Sequence, residues 1–411
     1  MRAVVPVAAA LALSLTGTAP APLFVFERAP HDAVRAAGTR SEAPQIYFTP
    51  AGEVVLLAAV GDGTKTALAQ LVSSDGGDSF VRARDVVAPG AGLETRGEMR
   101  PQFVPDAGGE GAFGVWQDMP GPGHHGAAAP GPLLRVARVT LEEHLPIVPA
   151  VLDGNVRAYD GAATVAVRGD GTPLAAWAGH EGEESGAIYV ASSQDGQTFG
   201  LPVRLAGTAC ECCRPSLVLR GDTAYLAWRG VFANDRRDVV VAVSHDRGAS
   251  WGAPVRVSRD GWSIRGCPNS GPVLALDGAT LHVVWFTLGN SGRAQLRASS
   301  SKDGMHFAPA RTISAPVLDA NHPRFVEGPV PFPMVVFEGR DPGGAGFGRL
   351  HPFLAAYRNG AWTAPQAVPG DAARDVGDVV ATMRDPATIY IAQTARDARG
   401  ATVELLRGRL R

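Results

Sequence analysis

Helical periodicity is almost absent from this sequence, which sets aside bundles and layered α/β folds. Positive charge is not in surplus: the formal net charge is −2 and the isoelectric point near 6.6, so there is no basic footprint for nucleic acid. Beyond the first residues no run is long and apolar enough for a transmembrane helix, so no integral membrane segment is expected. Cysteine is scarce, with four residues in 411, and these four are not scattered. What the chain has in quantity is turn formers, 50 Gly and 32 Pro, enough to punctuate many short strands.

The N-terminus stands apart. Met1-Arg2 precedes an apolar run from Ala3 to Leu15 and then the small-residue stretch Thr16 to Ala21. This is the layout of a secretory signal peptide over residues 1–21, too short for a stable span. Export to a periplasm or the cell exterior is expected, with the folded domain over residues 30–411.

Two repeats organise that domain. Ser73 to Phe80, Ser192 to Phe199, Ser244 to Trp251 and Ser300 to Phe307 each combine Ser, Asp and Gly with a closing aromatic. Such a turn uses a carboxylate and a hydroxyl to bind nearby N–H groups, Gly for positive φ, and the aromatic to pack the turn down. In the second and fourth copies Gln194 and Lys302 stand where the Asp belongs, and Asp195 and Asp303 follow one residue later. The second repeat is a strand-like run ending in an aromatic at Trp116, Trp177, Trp228, Trp285 and Phe337, spaced 61, 51, 57 and 52 residues apart. Ile46 to Val60 and Val376 to Ala392 carry it more weakly. A period of this length is that of a four-stranded propeller blade. Counting by turns, near 73, 137, 192, 244, 300 and 357, predicts an all-β, six-bladed β-propeller.

The turn signature resembles the Asp box (S-x-D-x-G-x-x-W/F) of sialidases and related proteins. The resemblance implies that these turns are structural and connect strand C to strand D of each blade. Function is then expected on the opposite face, in the D-to-A and B-to-C connections. His124, His125, Glu181 and Glu183 fall there, as do Arg100, Arg157, Tyr159, Asp160, Arg237 and Asp238.

All four cysteines fall in two pieces on that face: Cys210-Glu211-Cys212-Cys213-Arg214, and Trp262 to Asn269, which includes Arg265 and Cys267. In an exported chain they suggest a disulfide, for example Cys210 or Cys213 to Cys267. A thiolate cluster for a soft ion, Cu(I) or Zn²⁺, is the alternative to a chain without cofactor. His322, before Pro323 at the start of an axial strand, is a candidate further ligand. The pieces Cys210 to Arg214, Asn234 to Asp238 and Trp262 to Pro268 also resemble a group of exported bacterial Asp-box proteins with C-x-C-C-R, N-x-R-D and W-x-I-x-x-C-P motifs. That resemblance implies the fold and carries no established activity.

A sialidase needs three arginines on the substrate carboxylate, a Tyr nucleophile backed by Glu, and an Asp acid/base. The family's first arginine lies in an R-I-P motif; the matching position here is Glu42, in Ser41-Glu42-Ala43-Pro44. A standard sialidase is therefore disfavoured. If the protein is an exo-glycosidase, Tyr159, Asp160 and Arg100 are the candidate catalytic residues. Arginines at strand starts keep a small anionic ligand or glycan open, with Arg157, Arg214, Arg237, Asp238, Trp262, Arg265, Asn269 and Arg324 as candidate ligand-binding residues. The leading expectation is a monomeric binding protein with a cysteine-marked axial site for a soft metal or an anionic ligand. The alternatives are an exo-glycosidase and a protein-interaction platform with structural disulfides.

Overall fold

A computed structural model of the chain describes residues 22–27, 30–34, 39–62, 65–106, 108–118, 133–142, 147, 149–152, 162–179, 186–343 and 348–411. Among them are seven antiparallel sheets arranged as a ring, each touching the next through its innermost strand. The innermost strands are Arg40–Phe48, Gln102–Pro105, Ala163–Val167, Ser216–Arg220, Val273–Asp277, Leu318–Phe325 and Asp375–Asp385. The molecule is a β-propeller of seven blades, not six.

The miscount has a physical cause. Blade 7 consists of Asp375–Asp385, Thr388–Asp397 and Gly400–Leu410, and its outer strand comes from the other end of the chain. Phe24–Phe26 pairs with the last strand, Phe24 opposite Leu410 and Phe26 opposite Gly408. Closure by the two chain ends leaves this blade without a C-to-D turn, so a count of turns misses it. The seven inner runs, Ile46 and Val376 included, match the blades one for one. The closing strand also places residues 24–26 in the propeller, ahead of residue 30. Residues 1–21, with the signal-peptide expectation, lie outside the described residues.

Strand alternation builds the core. In the second strand of blade 3, Leu174, Ala176 and Ala178 face blade 4 while Ala175 and Trp177 face blade 2. Seven apolar clusters result, one at each blade interface, and Trp177 and Trp285 are fully buried in theirs.

The Ser/Asp turns tie blades together. Ser244 Oγ donates to Asp246 Oδ1 (2.7 Å) and accepts from Gly248 N (2.8 Å), while Asp246 accepts from Ser250 N (2.8 Å). Ser73 and Asp75 repeat the pattern. Hydrogen bonds from the Ser79 and Ser250 hydroxyls and amides, and from Ser73 and Ser244, hold the Asp75 and Asp246 carboxyls down at about 2. In the second and fourth turns the serine shifts along with the aspartate: Ser193 pairs with Asp195 and Ser301 with Asp303, one residue after the positions read from the sequence. Gly248 sits at φ +86°, and a Cβ there would lie 2.7 Å from Leu174 of the preceding blade. The closing aromatics Phe80, Phe199, Trp251 and Phe307 fill the clusters of the same interfaces. No helix among the described residues is long and apolar enough to cross a membrane.

Candidate functional site

The D-to-A connections lie at the end of the blades opposite the Ser/Asp turns, and there the inner strands depart from regular geometry. In blades 1, 6 and 7 the register of the inner strand shifts at Ala43, His322 and Asp378, and these residues have φ of +53°, +47° and +51°. Asn269, just before the inner strand of blade 5, has φ +51°. Left-handed backbone at non-glycine residues costs free energy and gathers where side chains are being aimed. Here it surrounds the mouth of the axial channel.

The mouth opens on a cavity of about 350 Å³ lined by Glu42, Thr95, Arg100, His322, Glu338, Asp378 and Arg396 among others. Arg100 Nη1 donates to Asp378 Oδ1 at 2.7 Å, and Arg396 pairs with the same carboxylate. Burial would raise Asp378, but Arg100 and Arg396 outweigh it and hold it at about 2. His322 places Nδ1 3.0 Å from Glu338 Oε2 and Nε2 3.1 Å from the Asn269 carbonyl. Two acceptors suit an imidazolium: burial pulls its pKa down, and Glu338 and then Glu98 more than restore it, leaving it raised. Glu98, buried beneath, would be raised by burial but is lowered by Arg324, His322, Arg214 and Arg100. Among the buried polar atoms without a hydrogen-bond partner in the described residues, Arg100 Nη2 and Asn269 Oδ1 belong to residues of this group. Below the mouth, a second cavity of about 400 Å³ runs along the axis past Arg100, Arg214, Arg324 and Glu327.

Beside the mouth, the cysteines meet. Cys212 and Cys267 form a disulfide that joins the loops leading into blades 4 and 5. It is neither of the pairings offered as examples from the sequence. Cys210 and Cys213 are free, buried thiols. A tight turn, Cys213 N to Cys210 O at 3.2 Å, brings Cys213 Sγ 3.3 Å from Cys210 Sγ, which lies 3.6 Å from Cys212 Sγ. The Cys213 S–H lowers the pKa of Cys210 against the opposing effect of burial, helped by the charges of Arg229 and Arg237. Burial, with the adjoining Cys210, raises Cys213 well above the ordinary thiol range.

Several sequence candidates have other work. Arg214 is buried, and its guanidinium donates to the carbonyls of Glu98, Arg100 and Ala163, tying three blades rather than facing a ligand. Asp238 is fully buried on Arg256 and Ser258, and Arg237 reaches the Gly266 carbonyl at 3.2 Å. Trp262 is buried, with Arg229 5.2 Å from its ring centre and Phe286 edge-on at 5.3 Å. The Arg265 side chain is 94% exposed and faces Asp235. His322 turns its nitrogens to Glu338 and Asn269, not to sulfur, and stands outside the group formed by Cys210, Cys212 and Cys267. Arg100 and Arg324 line the axial cavity, and the Asn269 carbonyl meets His322 Nε2. Arg157, Tyr159 and Asp160 lie outside the described residues, as do His124, His125, Glu181 and Glu183. Sequence reasoning missed Glu338, Asp378, Arg396 and Glu327. Asp378 and Arg396 belong to the uncounted blade, and Glu338 directly follows the repeat aromatic Phe337.

No protein-family profile matches the sequence, and a search among curated proteins likewise found no match. Among solved structures, a protein of unknown function from Dyadobacter fermentans is similar over 95% of this chain and 100% of its own, with 11% identity and a TM-score of 0.50. An α-L-arabinofuranosidase from Fusarium graminearum aligns over 93% of this chain and 98% of its own (14% identity, TM-score 0.49). A Hadza microbial sialidase aligns over 87% and 73% (13% identity, TM-score 0.49). The likeness is one of fold.

Proposed function

We propose that this is an exported binding protein whose axial face takes one soft metal ion, Cu(I) ahead of Zn²⁺, on the thiolates of Cys210, Cys212, Cys213 and Cys267 in the reduced chain. The observation that carries this reading is the meeting of all four cysteines. The sulfurs of Cys210, Cys212 and Cys267 lie within 4.8 Å of one another, and Cys213 is 3.3 Å from Cys210. A purely structural bridge would use two of them. Soft thiolates select Cu(I) and, in fours, also suit tetrahedral Zn²⁺. Arg229 and Arg237, whose charges already favour the Cys210 thiolate, would offset part of the negative charge of such a site. A disulfide in so sparing a user of cysteine fits an oxidising compartment, periplasmic or extracellular.

The test is metal uptake by reduced, chelator-treated protein. The expected result is about one tightly held Cu(I) or Zn²⁺ per chain, lost in Cys210→Ser and in Cys213→Ser. Absence of uptake by the fully reduced, folded protein would overturn the reading.

Glycoside hydrolysis is the weaker alternative, since it needs a protonated carboxyl beside an ionised one. At the mouth, Glu98 and Asp378 are both held in the ionised form, and Glu338 accepts hydrogen bonds from His322 and from Asp378 N (2.7 Å). A second binding reading, a small anionic ligand or glycan at the mouth, is favoured by the partnerless Arg100 Nη2 and Asn269 Oδ1. A rise in Tm with sulfated or carboxylated sugars, absent in Asn269→Ala, would support it; no shift with any of them would count against it.

A further inference from the structure

The geometry points to a thiol–disulfide exchange centre: we propose that the Cys212–Cys267 disulfide exchanges with an external dithiol through Cys267, and that Cys210 and Cys213 form a buried pair onto which the disulfide can move. The inference goes beyond the metal reading and needs no ion.

Three observations carry it. The bridge is asymmetric: Cys267 is exposed, within the exposed stretch Arg265 to Cys267, while Cys212 is buried. A disulfide reachable at one sulfur is the labile kind, open to attack there and releasing the other. The second observation is a free thiol alongside, Cys210 Sγ 3.6 Å from Cys212 Sγ. The third is a resolving partner for it, Cys213 Sγ at 3.3 Å, in the C-x-x-C spacing that Cys210 and Cys213 share.

The steps balance. A thiolate of the external dithiol attacks Cys267 Sγ; the S–S bond breaks and Cys212 leaves with the electron pair and takes a proton. The second external thiolate then attacks its own mixed-disulfide sulfur and Cys267 leaves. The external dithiol ends as a disulfide, oxidised by two electrons, and the protein holds two more thiols. The internal transfer involves no net oxidation. Cys210, giving its proton to solvent, attacks Cys212 and displaces Cys267, which takes a proton up. Cys213, losing its proton, then attacks Cys210 and displaces Cys212, which takes a proton up. The product carries a Cys210–Cys213 disulfide with thiols at Cys212 and Cys267, so the oxidising equivalent lies behind the surface while an exposed thiol stands at the rim.

The test uses native, chelator-treated protein with no reductant, incubated with a thiol-alkylating reagent and mapped by peptide mass spectrometry. The expected result is alkylation of Cys267 and recovery of a Cys210–Cys213 disulfide. Cys210→Ser should cut labelling of Cys267 at least tenfold, while Cys213→Ser leaves it labelled with Cys210 bonded to Cys212. Adding dithiothreitol in small excess should release two thiols per disulfide, with Cys267 appearing in the first mixed disulfide. An intact Cys212–Cys267 bridge with label confined to Cys210 and Cys213 in the wild type would overturn the proposal, even where a variant fails to fold. So would undiminished labelling of Cys267 in folded Cys210→Ser. Because metal is removed throughout, failure here leaves metal uptake by the fully reduced protein untouched, and the reverse also holds.

Discussion

On one face of the propeller, Ser73 with Asp75 and Ser244 with Asp246 close their hydrogen bonds within four residues, and the device recurs at Ser193 and Ser301. On the other face Arg100 pairs with Asp378, 278 residues away, His322 with Asn269, 53 away, and Cys212 with Cys267, 55 away. The first face is local, repeated and solvent-washed; the second is long-range, unique and largely buried. The repeated face fixes blade to blade. The unrepeated face can hold chemistry, because nothing obliges one blade to carry what its neighbour carries.

Substitutions on the two faces should carry unequal costs. Removing Asp378 strands the buried Arg100 and takes one partner from Arg396, so Asp378→Ala should cost about 3–5 kcal/mol in denaturant unfolding. A loss under about 1 kcal/mol would mean that the axial ion pairs are not structural. Ser244→Ala removes a buried hydroxyl from a turn that keeps its other bonds, and should cost about 1–2 kcal/mol.

Glu327 separates the axis from both faces by pH. Its surface is exposed, yet that surface lines the axial cavity, and enclosure by the surrounding strands, against the pull of Arg324, pushes its carboxyl up to about 7. The folded protein therefore binds a proton that the unfolded chain has released once the pH passes the ordinary carboxyl range. The stabilising contribution is full below that range and is lost as pH rises to about 7. Tm of the wild type should fall over this window relative to Glu327→Gln; parallel curves would contradict the assignment. The smallest effect is expected at Arg265, whose exposed pair with Asp235 should leave Tm unchanged in Arg265→Ala.

What could be read in the sequence follows the same division. The turns and inner runs were legible because each is a short pattern that repeats, and even the displaced Asp195 and Asp303 betrayed themselves by spacing. The blade number was legible in the seven inner runs and hidden in the turns, since the blade closed by Phe24–Phe26 has no turn to count. The convergence of the cysteines was legible because both pieces lead into adjacent blades. Their pairing was not, because three sulfurs from one loop lie close to one another and only the fold decides which of them faces Cys267. The contacts of Arg214 and Asp238 were not legible, because an arginine or aspartate at a strand start looks the same whether it meets a ligand or backbone carbonyls and Arg256. The contacts of His322 were hidden in the same way, since its left-handed backbone and bulge turn it to Glu338.

X-ray absorption at the zinc edge of reduced, zinc-loaded protein decides whether the four cysteines form one centre on the axial face. A single thiolate centre gives a first shell of sulfur alone at about 2.3 Å. A nitrogen or oxygen shell at about 2.0–2.2 Å would contradict it and move the ion to His322 or the carboxylates of the mouth.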